Sequence, residues 1–231
     1  MKLATTLLFV LAVVATPREA FWAFSVFTLL LAAMTAWALI PPGFVLRRLL
    51  IEIPFLLFAV FLPFVGSGER VDALGLSLSV SGLWAAWNIL AKATLGAWAS
   101  ILLAATTQVP DLLEGFSRLR APKVITAIMG FMVRYLDVTV GEWNRMRIAL
   151  LSRAYRPRTL RQAGALATAS GSLFIRSYER GERVYLAMLA RGYTGEMPGI
   201  TSPAPALRQW ISAAIVISIA AAVATLGWVT R

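Results

Sequence analysis

Apolar runs of membrane-crossing length constrain this chain more than anything else in it. Phe21–Ile40, Leu83–Ala105 and Leu207–Val229 are long and almost uniformly apolar. Each matches the roughly 20 helical residues needed to span a bilayer's hydrocarbon core. A soluble domain of 231 residues has no use for them. The chain is 59% hydrophobic and contains neither Cys nor His. It therefore lacks disulfides, thiolate or imidazole metal ligands, and the commonest general base. That argues against a hydrolase or a tight metal chelator within this chain alone.

Taken in order, Met1–Ala15 is an apolar run behind Lys2, ended by Thr16-Pro17. It is short for a span, about 20 Å of helix. It reads either as a first helix or as a signal peptide, since Val13-Val14-Ala15 resembles a cleavage site. Phe21–Ile40 is stopped by Pro41-Pro42-Gly43, and Arg47 and Arg48 follow in what reads as a short loop. Leu49–Val65 predicts a third span, Gly66–Ser81 an external Gly/Ser-rich loop, and Leu83–Ala105 a fourth span. The net charge is +11, and residues 109–208 hold 15 of the 22 Lys/Arg with 7 of the 11 acids. Nucleic-acid binding is a poor reading of a basic block beside so much membrane sequence. The positive-inside rule places the block, with Arg47 and Arg48, on the cytoplasmic side.

Lys92 lies inside the fourth span, one turn after Asn88. An intramembrane charge is a candidate functional group. The favoured alternative is a structural ion pair with Glu52, at similar depth by residue count, with snorkelling toward water as another. Gly96 is a candidate for close helix packing.

After residue 106 the pattern changes. Val109–Arg120 is amphipathic, with Pro110 suited to a first turn. Pro122 opens a helix predicted over Lys123–Ala154 and ended by Pro157. A third helix is predicted over Thr159–Ala190. Its early Ala163, Ala167 and Gly171 form a small-residue stripe suited to close approach, and Glu179 and Arg183 form an i,i+4 pair. Each long helix would extend about 45 Å. Both are apolar early and charged late, so neither reads as a plain span throughout. They read as helices lying along or dipping into one membrane face.

Both end alike. Ser152-Arg153-Ala154-Tyr155 and Ala190-Arg191-Gly192-Tyr193 each read small residue, Arg, small residue, Tyr, and turn chemistry follows at Arg156-Pro157 and Thr194-Gly195. An Arg between small neighbours at a helix end can present its planar fork to a partner for several charge-assisted hydrogen bonds. Two copies suggest a partner with two equivalent receptors. For either Arg taken singly, an ordinary cation near a helix C-terminus is the plainer reading, at about 0.3–1 kcal/mol. Tyr155 and Tyr193 could pack around a docked Arg or cap the end against headgroups. Arg156, Arg158 and Arg161 read as headgroup contacts.

These residues, with Thr106-Thr107-Gln108-Val109-Pro110 and Leu189-Ala190-Arg191-Gly192-Tyr193, resemble the T component of energy-coupling factor transporters, in the cobalt-type, CbiQ-like branch. The resemblance covers most of the chain and is densest over residues 106–198. It implies an all-α integral membrane protein with about five transmembrane helices and a cytoplasmic module of one short and two long amphipathic helices. The division expected is 1–107 for transmembrane helices one to four, 108–193 for the coupling helices, 194–206 for a linker and 207–231 for the last transmembrane helix. The resemblance also implies a non-catalytic scaffold in the cell membrane, the inner membrane of a bacterium. It would join an ABC-type ATPase dimer to a CbiM-like substrate-binding membrane subunit, with a small CbiN-like accessory protein. ATP and Mg would be bound by the ATPases, and no cofactor by this chain. Docking would fall on Ser152, Arg153, Ala154, Ala190, Arg191 and Gly192, supported by Tyr155 and Tyr193. Cobalt is the first substrate implied, then nickel or a vitamin such as biotin. Against the resemblance, the polar lead-in usual in the family is expected to be missing or reduced here.

Two other classes of function fit the residues less well. A membrane enzyme would use Asp137, Glu142 or Glu179 as acid or base, without a paired-carboxylate or nucleophile constellation. A self-contained carrier or channel would need a polar pathway, for which the spans offer only Asn88 and Lys92. No GxxxxGK[ST] loop is present, so the chain is not the ATPase.

Overall fold

The computed structural model describes residues 1–66, 70–73, 76–155, 164–194 and 207–230; side chains are not described for 72–78 and 208. The chain is an all-α membrane protein with one small hairpin. It divides into two units, Met1–Gly115 with Pro203–Arg231, and Phe116–Ser202.

In the first unit, helices α1 (Lys2–Ala15), α2 (Phe21–Trp37), α5 (Val80–Thr106) and α9 (Leu207–Val229) share one apolar core. Phe9 and Val13 of α1 meet Phe24, Phe27 and Leu31 of α2, Leu95 and Ala99 of α5, and Ala220 and Val223 of α9. The Phe9 and Phe27 rings pack edge to face, with centroids 5.6 Å apart. Helix α1 thus contributes Phe9 and Val13 to the centre of this core. Trp98 of α5 donates to Thr35 Oγ1 at 3.0 Å, Trp87 packs tilted against Phe21 and edge-on to Phe24, and Trp84 packs against Phe21, so all three are packing residues.

The third span differs from the expectation. The residues after Pro41 are helical: α3 (Pro42–Leu49), a 3₁₀ turn (Leu50–Glu52) and α4 (Ile53–Val65) follow without a break. Pro42 occupies a first-turn position, where its fixed φ favours starting a helix. Arg47 and Arg48 therefore lie in the last turn of α3 rather than in a loop, with Arg48 over the Phe44 ring at 4.5 Å. Helix α4 buries only Ala59 and Pro63, and exposes Phe55, Phe58, Phe61 and Phe64. Such an apolar edge suits lipid or a membrane partner. The predicted external loop contains an antiparallel hairpin, β1 (Arg70–Ala73) with β2 (Leu76–Ser79), Arg70 opposite Ser79. Glu69 of that loop lies outside the described residues.

Close packing falls on a different glycine from the one expected. No atom lies within 4 Å of a Cβ placed on Gly96, whereas one placed on Gly82 would sit 2.4 Å from the Leu62 carbonyl oxygen and 2.7 Å from Pro63 Cα. Gly82 is what lets the start of α5 cross the end of α4.

The second unit contains α7 (Lys123–Ser152) and α8 (Gly164–Ala190), and α6 (Val109–Arg118) runs across the division between units. No residue of α7 or α8 is buried. Val124, Ile128, Met132, Leu136 and Val140 form an exposed apolar stripe along α7 at four-residue steps. Neither long helix is expected from its sequence to be a plain span throughout. In α7 the charges are denser after Gly141, yet the helix contains a stretch long and apolar enough to cross a membrane. Among the described residues three further helical stretches meet the same test of length and composition: Pro42–Val65, Val80–Thr106 and Gln209–Val229. Helices α1 and α2 are shorter. In α8, Ala167 and Gly171 are exposed, and a Cβ on Gly171 would meet nothing within 4 Å. Their stripe packs on no helix of this chain among the described residues. Ala163, the predicted stop at Pro157, the start of the third helix at 159–163, Arg156, Arg158, Arg161 and the linker from Gly195 to Ala206 lie outside the described residues.

Candidate functional site

The two Arg signatures fold into one and the same helix-ending motif. Helix α7 ends at Ser152, and Arg153 is its C-cap. Ala154 then takes φ +58°, its N–H donates to Leu151 O at 3.0 Å, and the Tyr155 N–H donates to Leu150 O at 3.0 Å. Helix α8 repeats this: Gly192 takes φ +79°, donating to Leu189 O at 3.0 Å, and Tyr193 donates to Met188 O at 3.0 Å. These paired 5→2 and 6→1 bonds define the Schellman motif. The pattern of the signature now has a physical basis. The Arg takes the C-cap position just past the last helical residue, the small residue after it turns left-handed, and the Tyr supplies the closing N–H.

Both arginines are exposed and both tyrosines half-buried. Among the described residues neither guanidinium has a hydrogen bond or ion pair within the chain. Ser152 folds its hydroxyl back onto Ala149 O at 2.9 Å, so it presents no free hydroxyl donor beside Arg153. The Tyr155 hydroxyl is buried without a hydrogen-bond partner.

Helices α7 and α8 meet at an ion pair, Arg180 Nη2 with Glu142 Oε1. Ser172 Oγ lies 3.9 Å from Met146 Sδ. Beside the contact is a groove of about 350 Å³, walled by Phe131, Tyr135 and Thr139 of α7 and by Gly181, Val184 and Met188 of α8. On α8, Glu179 and Arg183 make the expected i,i+4 pair, at 3.8 Å. The carboxylates considered for an enzyme are thus dispersed: Glu142 is held by Arg180, Glu179 by Arg183, and Asp137 is exposed. Among the described residues no three acidic groups gather into a metal-binding cluster.

The expected Glu52–Lys92 pair is replaced by two separate contacts. Lys92 Nζ donates to Val14 O at 2.7 Å, and Glu52 Oε2 accepts from Thr94 Oγ1 at 3.1 Å. Two residues along a helix turn through about 200°, so Lys92 and Thr94 point to opposite sides of α5. Lys92 faces the C-terminal end of α1, where a cation satisfies an orphan carbonyl and complements the helix dipole. The bond has a counterpart, since Lys2 Nζ donates to Thr106 O at the end of α5, also at 2.7 Å. Two antiparallel helices thus cap each other's C-terminal ends. Lys92 thus has a backbone carbonyl rather than a carboxylate as its partner, and Asn88 Oδ1 is buried without a hydrogen-bond partner.

A family model described as cobalt transport protein, CbiQ, matches residues 1–203. The chain belongs to the CbiQ family. This CbiQ-family chain is 36% identical over 107 residues to an uncharacterized protein of Methanocaldococcus jannaschii, covering 45% of this chain and 39% of that one. It is 24% identical over 172 residues to a protein of Methanocorpusculum labreanum described as a fused cobalt transport protein CbiMQ, covering 70% of this chain and 29% of that one. A second uncharacterized protein of M. jannaschii is 27% identical over 167 residues, covering 67% of this chain and 56% of that one. The chain therefore spans between 29% and 56% of the length of these relatives.

Within this CbiQ chain, reading the sequence singled out the two tips but missed the residues that hold the two helices together. Glu142 appeared there only as a candidate acid, and Arg180 not at all. The signal that finds them is the spacing of the tips themselves: Arg153 and Arg191 are 38 residues apart, and so are Glu142 and Arg180.

Proposed function

We propose that this chain is the coupling subunit of an ATP-driven cobalt importer. It would be a multi-pass protein of the cell membrane with its two Arg-tipped helix ends on the cytoplasmic side. Each tip docks into one half of an ABC-type ATPase dimer. Those ATPases bind and hydrolyse ATP with Mg, and this chain itself is non-catalytic and carries no cofactor. The observation that carries the reading is the pair of matched caps. Each fixes an exposed, unpaired guanidinium at a helix end in the same backbone geometry, as two equivalent receptors would require.

The membrane side of the reading has separate support. The name of the M. labreanum relative joins M and Q components in one chain, which favours a CbiM-like substrate-binding subunit as neighbour. A small CbiN-like accessory protein would complete the set. The apolar stripe of α7, Val124 to Val140, suits lipid or the membrane surface of such a subunit. Cobalt follows from the family's description, with nickel or a vitamin as the alternative cargo. The chain's own lack of Cys and His leaves metal recognition to a partner. Closure of the ATPase pair on ATP would draw the two tips together in a rigid-body motion and shift the helices against the substrate-binding subunit.

Co-purification tests the docking. A tagged chain should capture an ABC-type ATPase, and Arg153→Glu with Arg191→Glu should abolish capture, each Arg contributing at least about 2 kcal/mol. Full ATPase capture and full transport by the double variant would end the proposal.

A further inference from the structure

The two tips belong to longer copies than their signatures reveal. At the offset that places Arg153 on Arg191, Arg145 falls on Arg183, Ala149 on Ala187, Leu151 on Leu189 and Tyr155 on Tyr193. The same offset places Glu142 on Arg180, the two residues that pair across α7 and α8. It also places Thr139 on Ser177, which line the same groove. Contact between equivalent positions of two copies is what a two-fold axis through that contact produces. Each Arg then lies eleven residues beyond its own half of the pair, about 16 Å along its helix. The contact is therefore equidistant from both tips.

From Arg145/Arg183 to Tyr155/Tyr193 the copies match in kind at every position but Arg147/Tyr185, whereas the axial position carries opposite charges, Glu142 in one copy and Arg180 in the other. Opposite charges are what a contact between equivalent positions requires, since identical charges would repel there. The Glu142 side chain is 13% exposed and Arg180 27%, so water screens the pair poorly. Among the described residues no residue of α7 or α8 is buried, so no core holds their angle outside this crossing.

We propose that Glu142 and Arg180 are positioning residues that form the axial pin of the two Arg-tipped helices. They hold the crossing so that both tips stay equidistant from it, in the arrangement a two-fold partner demands. The pinning stands on this chain alone; its consequence for transport rests on the ATPase-docking function proposed above.

The chain has no Cys, so a full-length Ile148→Cys/Leu186→Cys variant takes two spin labels and no others. These positions are equivalent under the offset, both exposed, and outside the docking signatures. Pulsed electron–electron resonance in lipid nanodiscs should give one narrow distance distribution. Glu142→Gln, which is isosteric, and Arg180→Met, which keeps the apolar stem, should each broaden it. The charge swap Glu142→Arg with Arg180→Glu should narrow it again and serves as the fold control. A distribution as narrow in both single variants as in the parent would overturn the proposal, and so would a swap that stays as broad as they are. In the assembled transporter, the single variants should still capture ATPase, because both tips remain. Substrate moved per ATP should fall about 2- to 30-fold and recover in the swap; unchanged coupling in the single variants would also overturn it. If the distances respond as stated but even the parent captures no ATPase, the pin stands and the docking reading falls.

Discussion

The two caps are geometrically equal but chemically unequal, and this predicts opposite responses to exchanging their small residues. Ala154 holds φ +58° where Gly192 holds φ +79°. A left-handed conformation costs an L-residue with a Cβ about 1–2 kcal/mol. Ala154→Gly removes that cost but returns backbone freedom to the unfolded chain, worth about 0.5–1 kcal/mol. The net is a cap more stable by about 0.5–1 kcal/mol. Gly192→Ala runs the other way. A Cβ there would meet nothing within 4 Å, so sterics contribute nothing and the loss of about 0.5–1 kcal/mol is purely conformational. Hydrogen exchange at peptide resolution reads this directly, since the Tyr155 and Tyr193 amides are the closing donors of the two motifs. Exchange of the segment around Tyr155 should slow about two- to fivefold in the first variant, and that around Tyr193 should speed up by a similar factor in the second. Shifts of the same sign in both variants, or none in either, would refute the argument that backbone conformation selects these residues.

Four further outcomes follow from the packing. Gly82→Ala should destabilise the α4–α5 crossing by about 1–3 kcal/mol, because the new methyl meets backbone rather than a yielding side chain. Gly96→Ala, with open space around it, should leave the thermal midpoint unchanged or raise it, a helix-interior Gly costing about 1 kcal/mol against Ala. Lys92→Met should destabilise by about 1–3 kcal/mol through the orphaned Val14 carbonyl, seen as a lower thermal midpoint and faster proteolysis; a pathway residue would instead lose transport with stability intact. Deleting residues 1–15 removes Phe9 and Val13 from the core, so the truncated chain should fail to accumulate in membranes, whereas normal accumulation would favour the signal-peptide reading.

Much of the fold was legible because apolar length and breakers mark membrane helices strongly. The end of α7 and the extent of α9 follow from such patterns, and so do the paired tips. The geometry of the helix ends was not legible, for a definite reason. Left-handed caps are read from glycine, yet three of the four positive-φ residues among those described are Leu39, Arg120 and Ala154. The ion pair assigned to Glu52 and Lys92 failed because a backbone carbonyl is a partner without a sequence signature. Gly82 and Gly96 look alike in the chain, and only the path of α4 tells them apart. Pro41-Pro42-Gly43 reads as a stop, but Pro42 also begins the next helix, so the boundary of the third span was misplaced.

The reciprocal lysine bonds between α1 and α5 limit how the bundle can rearrange. Sliding one helix along the other by a single turn, about 5.4 Å, would break the Lys2–Thr106 and Lys92–Val14 bonds together. Tilting both as a unit breaks neither. The pair is thus latched against ratcheting, and can act as a fixed keel while helices without such double fastening move past it.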